Sequence, residues 1–254
     1  RQDNGSGKIL PGAALVGAGC GSYELITLKG LSEIRRAEVI VYDDLIDEHL
    51  LEFAPESCEL IYAGKRSGRH SKAQEEINEL LVEKALEGRY VVRLKGGDPY
   101  VFGRGGEEAL ALKAHGIPVH EVPGVTSGIG LCGMAGIPVT HRGASRGFHV
   151  ITGHTADNLS PEVEKIRWKS YAKLDETFVF LMGLKSIDMI TGKLMRYGKP
   201  EDTAVAVIHG NNSDGTYVKL VGTLSDIAEK VKTADFPSPA IIVVGEVASL
   251  ELTD

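Results

Sequence analysis

Residues 90–116, "YVVRLKGGDPYVFGRGGEEALALKAHG", contain the pattern that decides the fold. The apolar run at the start of this stretch predicts a strand, and the segment from Glu107 to Gly116 predicts a helix. A glycine-rich loop joins the two, as in the βαβ unit of an open α/β sheet. Ligands of such sheets bind at the carboxyl ends of the strands, so this loop is a candidate binding loop.

The same alternation of strands and helices continues on both sides of this stretch. Further strands are predicted at "ALVGAG" (14–19), "VIVYDD" (39–44), "ELIYAG" (59–64), "PVHEVP" (118–123), "FHVITG" (148–153), "TFVFLMG" (177–183), "TAVAVIHG" (203–210) and "AIIVVGE" (240–246). The alternation implies βαβ units and a largely parallel sheet, and the fold class is α/β with two α/β domains. We expect an N-terminal α/β domain at 13–125, a Gly-rich connection at 126–139 and a C-terminal α/β domain at 140–254.

Composition limits the class of protein. The chain has 254 residues and a net charge of −7, which argues against broad nucleic-acid binding. No apolar run approaches the ~20 residues of a membrane span, and the first twelve residues lack the apolar core of a signal peptide. The three cysteines are far apart and form no metal-binding spacing. We expect a cytoplasmic protein without a membrane contact or a structural metal.

Two basic stretches contain no acidic residue. Residues 60–74 include Lys65, Arg66 and Arg69, and residues 122–156 include His141 and Arg142. In an acidic protein such stretches indicate a local site for an anion. The alternative is chance clustering of basic side chains on a solvated surface.

Asp98 follows two glycines directly and limits which ligand the loop can hold. Phosphate sites present backbone N–H groups and a helix N-terminus to negative charge, and a carboxylate there would repel the anion. A ligand with hydroxyl groups and an ammonium group suits Asp98 better. S-adenosylmethionine has both and carries no phosphate. The alternative is an ordinary turn at Asp98-Pro99.

The pattern of the first loop is only weak support for a dinucleotide-binding site. The fingerprint G-x-G-x-x-G needs a third glycine, but Gly17 and Gly19 are followed by Ser22. Asp43 could mimic the acidic residue that binds the ribose in such proteins. A Walker A loop is absent from the sequence.

Eight segments together resemble the tetrapyrrole methylase family, in the order of that family and from about Ala14 to Ala248. They are "VGAGCGSYELITLKG", "VYDDL", "YAGKRSGRHSKAQEEIN", "VVRLKGGDPYVFGRGGEE", "VPGVTSGIG", "AGIPVTHRG", "ITGH" and "FLMGL". The resemblance implies two α/β domains with S-adenosylmethionine in the cleft between them, and a homodimer. The implied activity is methylation of the tetrapyrrole uroporphyrinogen III at C2 and C7. It yields precorrin-2, for sirohaem or cobalamin, and S-adenosylhomocysteine.

The resemblance also implies roles for individual residues. Asp43 would be the proton acceptor and Lys65 the proton donor, with Arg93 as a third catalytic residue. The alternatives are a strand-end turn for Asp43 and a solvated charge for Lys65. A charge within a buried strand is costly unless it is paired, so Arg93 suits either an ion pair or a substrate carboxylate.

The implied binding residues fall into two sets. Those for the cofactor are Cys20, Gly96, Gly97, Asp98, Val101, Thr126, Ser127, Met182 and Asn211. Those for the carboxylates of the substrate are Arg66, Arg69, His141 and Arg142. The alternative for Met182 is an ordinary core residue.

The sequence departs from the family at four positions. Cys20 stands where the family has proline, Ser22 where it has aspartate, Asp44 where it has arginine and Asn211 where it has glycine. Neither Cys20 nor Asp44 replaces a residue to which the family assigns proton transfer. Two other functions stay open: methylation of a later cobalamin-pathway intermediate, and binding of a tetrapyrrole or nucleoside without turnover.

Overall fold

The computed structural model describes residues 11–64, 74–153, 159–210, 214–250 and 252. These residues form two compact units. The first contains residues up to 126 together with 214–216, and the second contains 127–210 and the described residues from 217 onward.

The sheet of the first unit is wholly parallel. Its strands lie in the order β3-β2-β4-β1-β5. The strands are β1 (Ala13–Gly17), β2 (Val39–Tyr42), β3 (Glu59–Tyr62), β4 (Val91–Lys95) and β5 (Val119–Val122), and the helices are α1 (Leu28–Arg35), α2 (Gln74–Leu86) and α3 (Gly105–Ala114). This confirms the βαβ pattern predicted from the sequence.

Side-chain alternation divides this sheet into two buried faces. Leu15, Val41 and Val91 pack with the helices α2 and α3. Their neighbours along the strands, such as Ile40 and Val92, pack with α1 and with the 3-10 helix Glu48–Phe53. Both faces are therefore covered, which explains why the central strands are apolar over most of their length.

The second unit has a mixed sheet in the order β6-β7-β10-β8-β9. Among the strands that the structure describes here, only β6 and β7 pair in parallel, and the other pairs are antiparallel. The strands are β6 (Phe148–Thr152), β7 (Thr177–Leu181), β8 (Ala204–Gly210), β9 (Tyr217–Thr223) and β10 (Ile241–Val244), and the helices are α4 (Ser127–Met134), α5 (Pro161–Lys173), α6 (Ile187–Arg196) and α7 (Ile227–Thr233). The sheet of this unit is thus mixed, unlike the parallel sheet of the first unit, and β9 was not predicted.

The Gly-rich segment 126–139 contains a helix rather than an extended connection. Ser127–Met134 forms α4, and Leu131 and Cys132 on it are buried. A Cβ on Gly128 would lie 3.1 Å from the side chain of Val150 on β6. The small residue therefore lets the helix pack closely against the sheet, and part of the glycine content serves packing.

No helix within the described ranges combines the length and the apolar character needed to cross a membrane.

Candidate active site

At the ends of three neighbouring strands of the first unit, or two residues beyond them, lie glycines whose backbones are in close contact. A Cβ on Gly17 would lie 2.5 Å from Cα of Gly124, and a Cβ on Gly124 would lie 2.1 Å from the carbonyl oxygen of Gly97. Gly19 and Gly97 exchange two backbone hydrogen bonds of 3.2 and 2.7 Å. The glycines are thus required for the ends of β1, β4 and β5 to meet.

The loop after β2 joins the same group of strand ends. A Cβ on Gly96 would lie 2.5 Å from Cβ of Leu45. The amide of Leu45 donates a 3.1 Å hydrogen bond to Oδ1 of Asp43. Asp43 therefore lies at the carboxyl edge of the sheet, next to the loop that follows β4.

Arg93 is 3% exposed and is held by partners within its own unit. Its Nη2 donates to Oδ2 of Asp43 at 2.9 Å, and its Nε donates to Oε1 of Glu108 at 3.2 Å. Nη1 donates to the carbonyl oxygens of Val41 and Leu94 at 3.2 and 3.1 Å. These contacts are those of a structural ion pair, the alternative to a substrate carboxylate.

Sequence reasoning missed two further buried charges. Lys95 donates from Nζ to Oε1 of Glu108 at 3.0 Å, and both side chains are almost fully buried. Burial lowers the pKa of Lys95, as does repulsion from Arg93, while Glu108 acts in the opposite direction. The available signal was the spacing of Arg93 and Lys95, two apart in a buried strand and hence on one face.

Asp98 is engaged by the backbone on both of its oxygens. Oδ1 accepts the amide of Tyr100 at 2.8 Å, and Oδ2 accepts the amide of Gly124 at 3.1 Å. The bond to Tyr100 is that of the Asp98-Pro99 turn that the sequence offered as an alternative. The bond to Gly124 links this loop to the end of β5. Each oxygen retains a second acceptor position for a hydroxyl or an ammonium group.

Backbone strain is concentrated in the loop after β4. Phe102 and Arg104 have φ values of 53° and 57°, in the left-handed region that non-glycine residues seldom adopt. Val101, a predicted cofactor residue, donates its amide to the carbonyl oxygen of Asp98 at 3.2 Å. Strain of this kind is typical of functional loops.

The loop after β1 has no dinucleotide-binding geometry. Cys20 is buried between Gly19 and Gly21, which have φ values of 77° and 73°. Ser22 caps only the short 3-10 helix Tyr23–Leu25, and α1 begins at Leu28. A pyrophosphate would need the N-terminus of a long helix directly after the loop. The dinucleotide interpretation is therefore disfavoured.

The second unit has a similar glycine contact at the ends of its parallel strands. A Cβ on Gly153, after β6, would lie 2.3 Å from Cα of Gly183, after β7. Met182 precedes Gly183 with a φ of 56° and is 55% exposed. The core alternative for Met182 is thus wrong. Its exposed side chain and left-handed backbone differ from those of a residue that fills the core.

The other predicted residues have different locations. Thr126 ends the segment of the first unit that precedes α4, and Ser127 begins α4 of the second unit. His141 and Arg142 are exposed in a turn in which the amide of His141 donates to the carbonyl oxygen of Ser145 at 3.0 Å. Lys65, Arg66, Arg69 and Asn211 lie outside the described residues.

The chemistry of the first unit suits S-adenosylmethionine. Gly96 and Gly97 form the close-packed loop after β4, and each oxygen of the Asp98 carboxylate retains an acceptor position for a hydroxyl or an ammonium group. Asp43 adds a second carboxylate at this edge. Within the described parts of the chain, no His, Cys, Asp and Glu side chains group into a metal site.

Comparison with solved structures supports the two-domain α/β fold. A Thermus thermophilus uroporphyrin-III C-methyl transferase complexed with S-adenyl homocysteine matches with a TM-score of 0.76 and 38% identity, over 92% of this chain and 97% of that chain. A cobalt precorrin-4 methyltransferase matches with a TM-score of 0.80 and 26% identity, over 94% of this chain and 96% of that chain. Proteins that act on different tetrapyrroles thus share this fold.

Sequence comparison identifies the family. The uroporphyrinogen-III C-methyltransferase of Methanocaldococcus jannaschii is 49% identical over 248 residues, which are 96% of this chain and 98% of that protein. The model of the tetrapyrrole (corrin/porphyrin) methylases matches residues 14–228, which include both glycine-rich edges and the ion pair of Asp43 with Arg93. The chain therefore belongs to the tetrapyrrole methylase family.

Proposed function

We propose that the chain methylates uroporphyrinogen III at C2 and C7, with S-adenosylmethionine as the methyl donor. The products are precorrin-2, which leads to sirohaem or cobalamin, and S-adenosylhomocysteine. The observation that carries the proposal is the placement of Asp43. Arg93 and the amide of Leu45 hold its two oxygens at the strand edge, next to the Gly96–Asp98 loop.

Asp43 is the proton acceptor in this proposal. S-adenosylmethionine supplies an electrophilic methyl group when it is bound. Attack by a pyrrole carbon leaves positive charge on the ring, and a nearby carboxylate stabilises that charge or removes the proton. Arg93 keeps the Asp43 carboxylate in place, and Lys65 is the proton donor that the family resemblance assigns.

Basic side chains are proposed to bind the substrate. Uroporphyrinogen III has eight carboxylates, and arginine side chains bind carboxylates through two parallel hydrogen bonds. Arg66, Arg69, His141 and Arg142 are the candidates. The exposure of His141 and Arg142 in their turn supports this assignment.

Cofactor binding is proposed for the residues that the family resemblance assigns to it. The candidates are Cys20, Gly96, Gly97, Asp98, Val101, Thr126, Ser127, Met182 and Asn211. The glycine contacts, the strained loop after β4 and the left-handed φ of Met182 support the choice. We further propose that the protein is a cytoplasmic homodimer, as the family resemblance implies, and sedimentation equilibrium tests the dimer.

Sequence identity favours uroporphyrinogen III over a later cobalamin-pathway intermediate. The two solved structures match the chain with similar TM-scores, so the fold does not separate the two substrates. The chain is 49% and 38% identical to the two uroporphyrinogen-III-type methyltransferases but only 26% identical to the cobalt precorrin-4 methyltransferase, which favours uroporphyrinogen III as the substrate. Binding without turnover is disfavoured because the ion pair of Asp43 is present.

Mass spectrometry of the product tests the proposal. Uroporphyrinogen III is incubated anaerobically with S-adenosylmethionine and the wild-type protein, the Asp43→Asn variant, or the Asp202→Asn control in an exposed turn. We expect a gain of two methyl groups with the wild type and the control, and a strongly slowed gain with Asp43→Asn. Binding of S-adenosylhomocysteine without any methyl gain would contradict the proposed substrate.

A further inference from the structure

Glu108 is the most buried charged side chain near Asp43, and the proposed reaction does not use it. It is 0% exposed on α3. A single oxygen, Oε1, accepts hydrogen bonds from Arg93 Nε at 3.2 Å, Lys95 Nζ at 3.0 Å and Gln74 Nε2 at 3.2 Å. The other oxygen, Oε2, has no hydrogen-bond partner in the part of the chain that the structure describes.

The position of Glu108 follows from the faces of the sheet. Val91, Arg93 and Lys95 alternate along β4 and therefore point to the side that α2 and α3 cover. Two cations on this buried face need anions, because an unpaired buried charge is strongly unfavourable. Glu108 meets them from α3 and Asp43 meets Arg93 from the loop after β2, so the charges balance.

The guanidinium of Arg93 connects the two carboxylates directly. Its Nε is bound to Glu108 and its Nη2 to Asp43, while Nη1 is bound to two carbonyl oxygens. The guanidinium is planar, so fixing the Nε side fixes the direction in which Nη2 points. A change at Glu108 therefore reaches Asp43 through Arg93. None of these hydrogen bonds joins Glu108 to Asp43 directly.

We propose that Glu108 is a positioning residue for methyl transfer, which fixes Arg93 and through it the orientation of the Asp43 carboxylate. The proposal rests on the proposed role of Asp43 in the reaction. Arg93 and Lys95 face Glu108 from β4, Gln74 faces it from α2, and Asp43 lies beyond Arg93. Glu108 itself does not touch the reacting atoms.

The kinetic test is a double-mutant cycle of Glu108→Gln and Asp43→Asn. Glu108→Gln keeps the shape of the side chain but removes its charge, and Glu83→Gln on the exposed side of α2 is the matched control. We expect kcat to fall on the order of 10-fold, because small misplacements of a catalytic group are costly. KM should stay within about twofold, since uniform binding is unaffected. In the Asp43→Asn background the same change should have no further effect.

A spectroscopic readout separates this inference from the proposed function. The amide of Leu45 donates to Asp43 and reports its position by NMR without any substrate. We expect its resonance to shift in Glu108→Gln and to stay in place in Glu83→Gln. If the wild type methylates no tetrapyrrole but the resonance shifts, only the proposed function fails. An unshifted resonance, or equal kcat losses in both backgrounds, overturns the positioning role.

Glu108→Asp provides a second variant should Glu108→Gln not fold. It keeps the charge but withdraws the carboxylate by one methylene group from Arg93 Nε. We expect a folded protein with a reduced kcat and a shifted Leu45 resonance. Wild-type kcat with an unshifted resonance would overturn the proposal.

Discussion

A single methyl group at Gly124 should force apart the strand ends that meet at Gly17, Gly97 and Gly124. In Gly124→Ala the new Cβ would lie 2.1 Å from the carbonyl oxygen of Gly97 and 2.7 Å from Cα of Gly17. Ordinary contact begins at 3.4 Å, so the backbones must separate by more than 1 Å. The φ of Gly124 lies outside the left-handed region, so the strain comes from this collision alone.

The expected loss follows from the contacts that the separation breaks. Overpacking typically costs about 1–3 kcal/mol, and losing the bond from the Gly124 amide to the carboxylate of Asp98 adds about 1.5–3 kcal/mol. We therefore expect the free energy of unfolding to fall by about 2.5–6 kcal/mol. For a chain of this size that loss corresponds to a fall in Tm of roughly 10 °C.

Differential scanning calorimetry of Gly124→Ala beside Gly106→Ala checks this reasoning. Gly106 lies exposed in the first turn of α3, where a Cβ would meet no atom within 4 Å. Its replacement should leave Tm unchanged or raise it, because alanine favours the helix by about 0.5–1 kcal/mol. Titration calorimetry with S-adenosylhomocysteine should also show weaker binding by Gly124→Ala. Wild-type Tm and affinity in that variant would refute the close approach of the three strand ends.

Three further predictions concern stability and are checked by urea denaturation. Leu15→Ala removes a fully buried side chain at the centre of the first sheet and should lower the free energy of unfolding by about 2–5 kcal/mol; a loss below 1 kcal/mol would contradict its core position. Gly192→Ala, at an exposed position in α6, should raise the free energy of unfolding by about 0.5–1 kcal/mol. A decrease would contradict the absence of any atom within 4 Å of the added Cβ. Burial would raise the pKa of Glu33, but hydrogen bonds from Tyr90 and His120, together with the charges of Arg36 and His120, lower it from 4.5. The ionised carboxylate therefore stabilises the fold above pH 4.5, and this contribution disappears as the pH falls through the lower folded-state pKa. The stability difference between the wild type and Glu33→Gln should shrink from pH 7 to pH 3, and a constant difference would contradict the network.

The first unit could be predicted because its signals are local. β1 and β2 are apolar runs, and a glycine or an aspartate lies at the end of each strand from β1 to β4 or within two residues after it. In a parallel sheet all such ends meet at one edge, so the sequence sufficed to place Asp43 near the loop of Gly96 and Gly97.

The sheet order of the second unit could not be predicted in the same way. β10 lies between β7 and β8, and this pairing depends on contacts distant in sequence. β9 is an edge strand with Val218 and Val221 exposed, so it lacks the alternation of a half-buried strand. β9 is a strand because it pairs with β8, and its own residue pattern does not indicate this.

The role of Glu108 was missed although the sequence contains a signal for it. Glu107 and Glu108 are adjacent, and composition does not distinguish them. Helical spacing does, because Glu108 is four residues before Leu112, which is fully buried, and thus shares its face. A glutamate on the buried face of α3, opposite Arg93 and Lys95 on β4, indicates a buried ion network.

Asp43 is held from two independent directions. On one side, Glu108 fixes Arg93, and Arg93 binds Oδ2 of Asp43. On the other side, the amide of Leu45 binds Oδ1, and Leu45 itself packs so closely on Gly96 that no Cβ fits there. Glu108 and Arg93 hold the Asp43 carboxylate from the face of the sheet that α2 and α3 cover. Gly96 holds it indirectly, because its close contact fixes the backbone of Leu45. A carboxylate fixed by both an ion pair and a backbone contact keeps part of its orientation when only one of them is weakened, so we expect Gly96→Ala combined with Glu108→Gln to reduce kcat more than the two separate effects would predict.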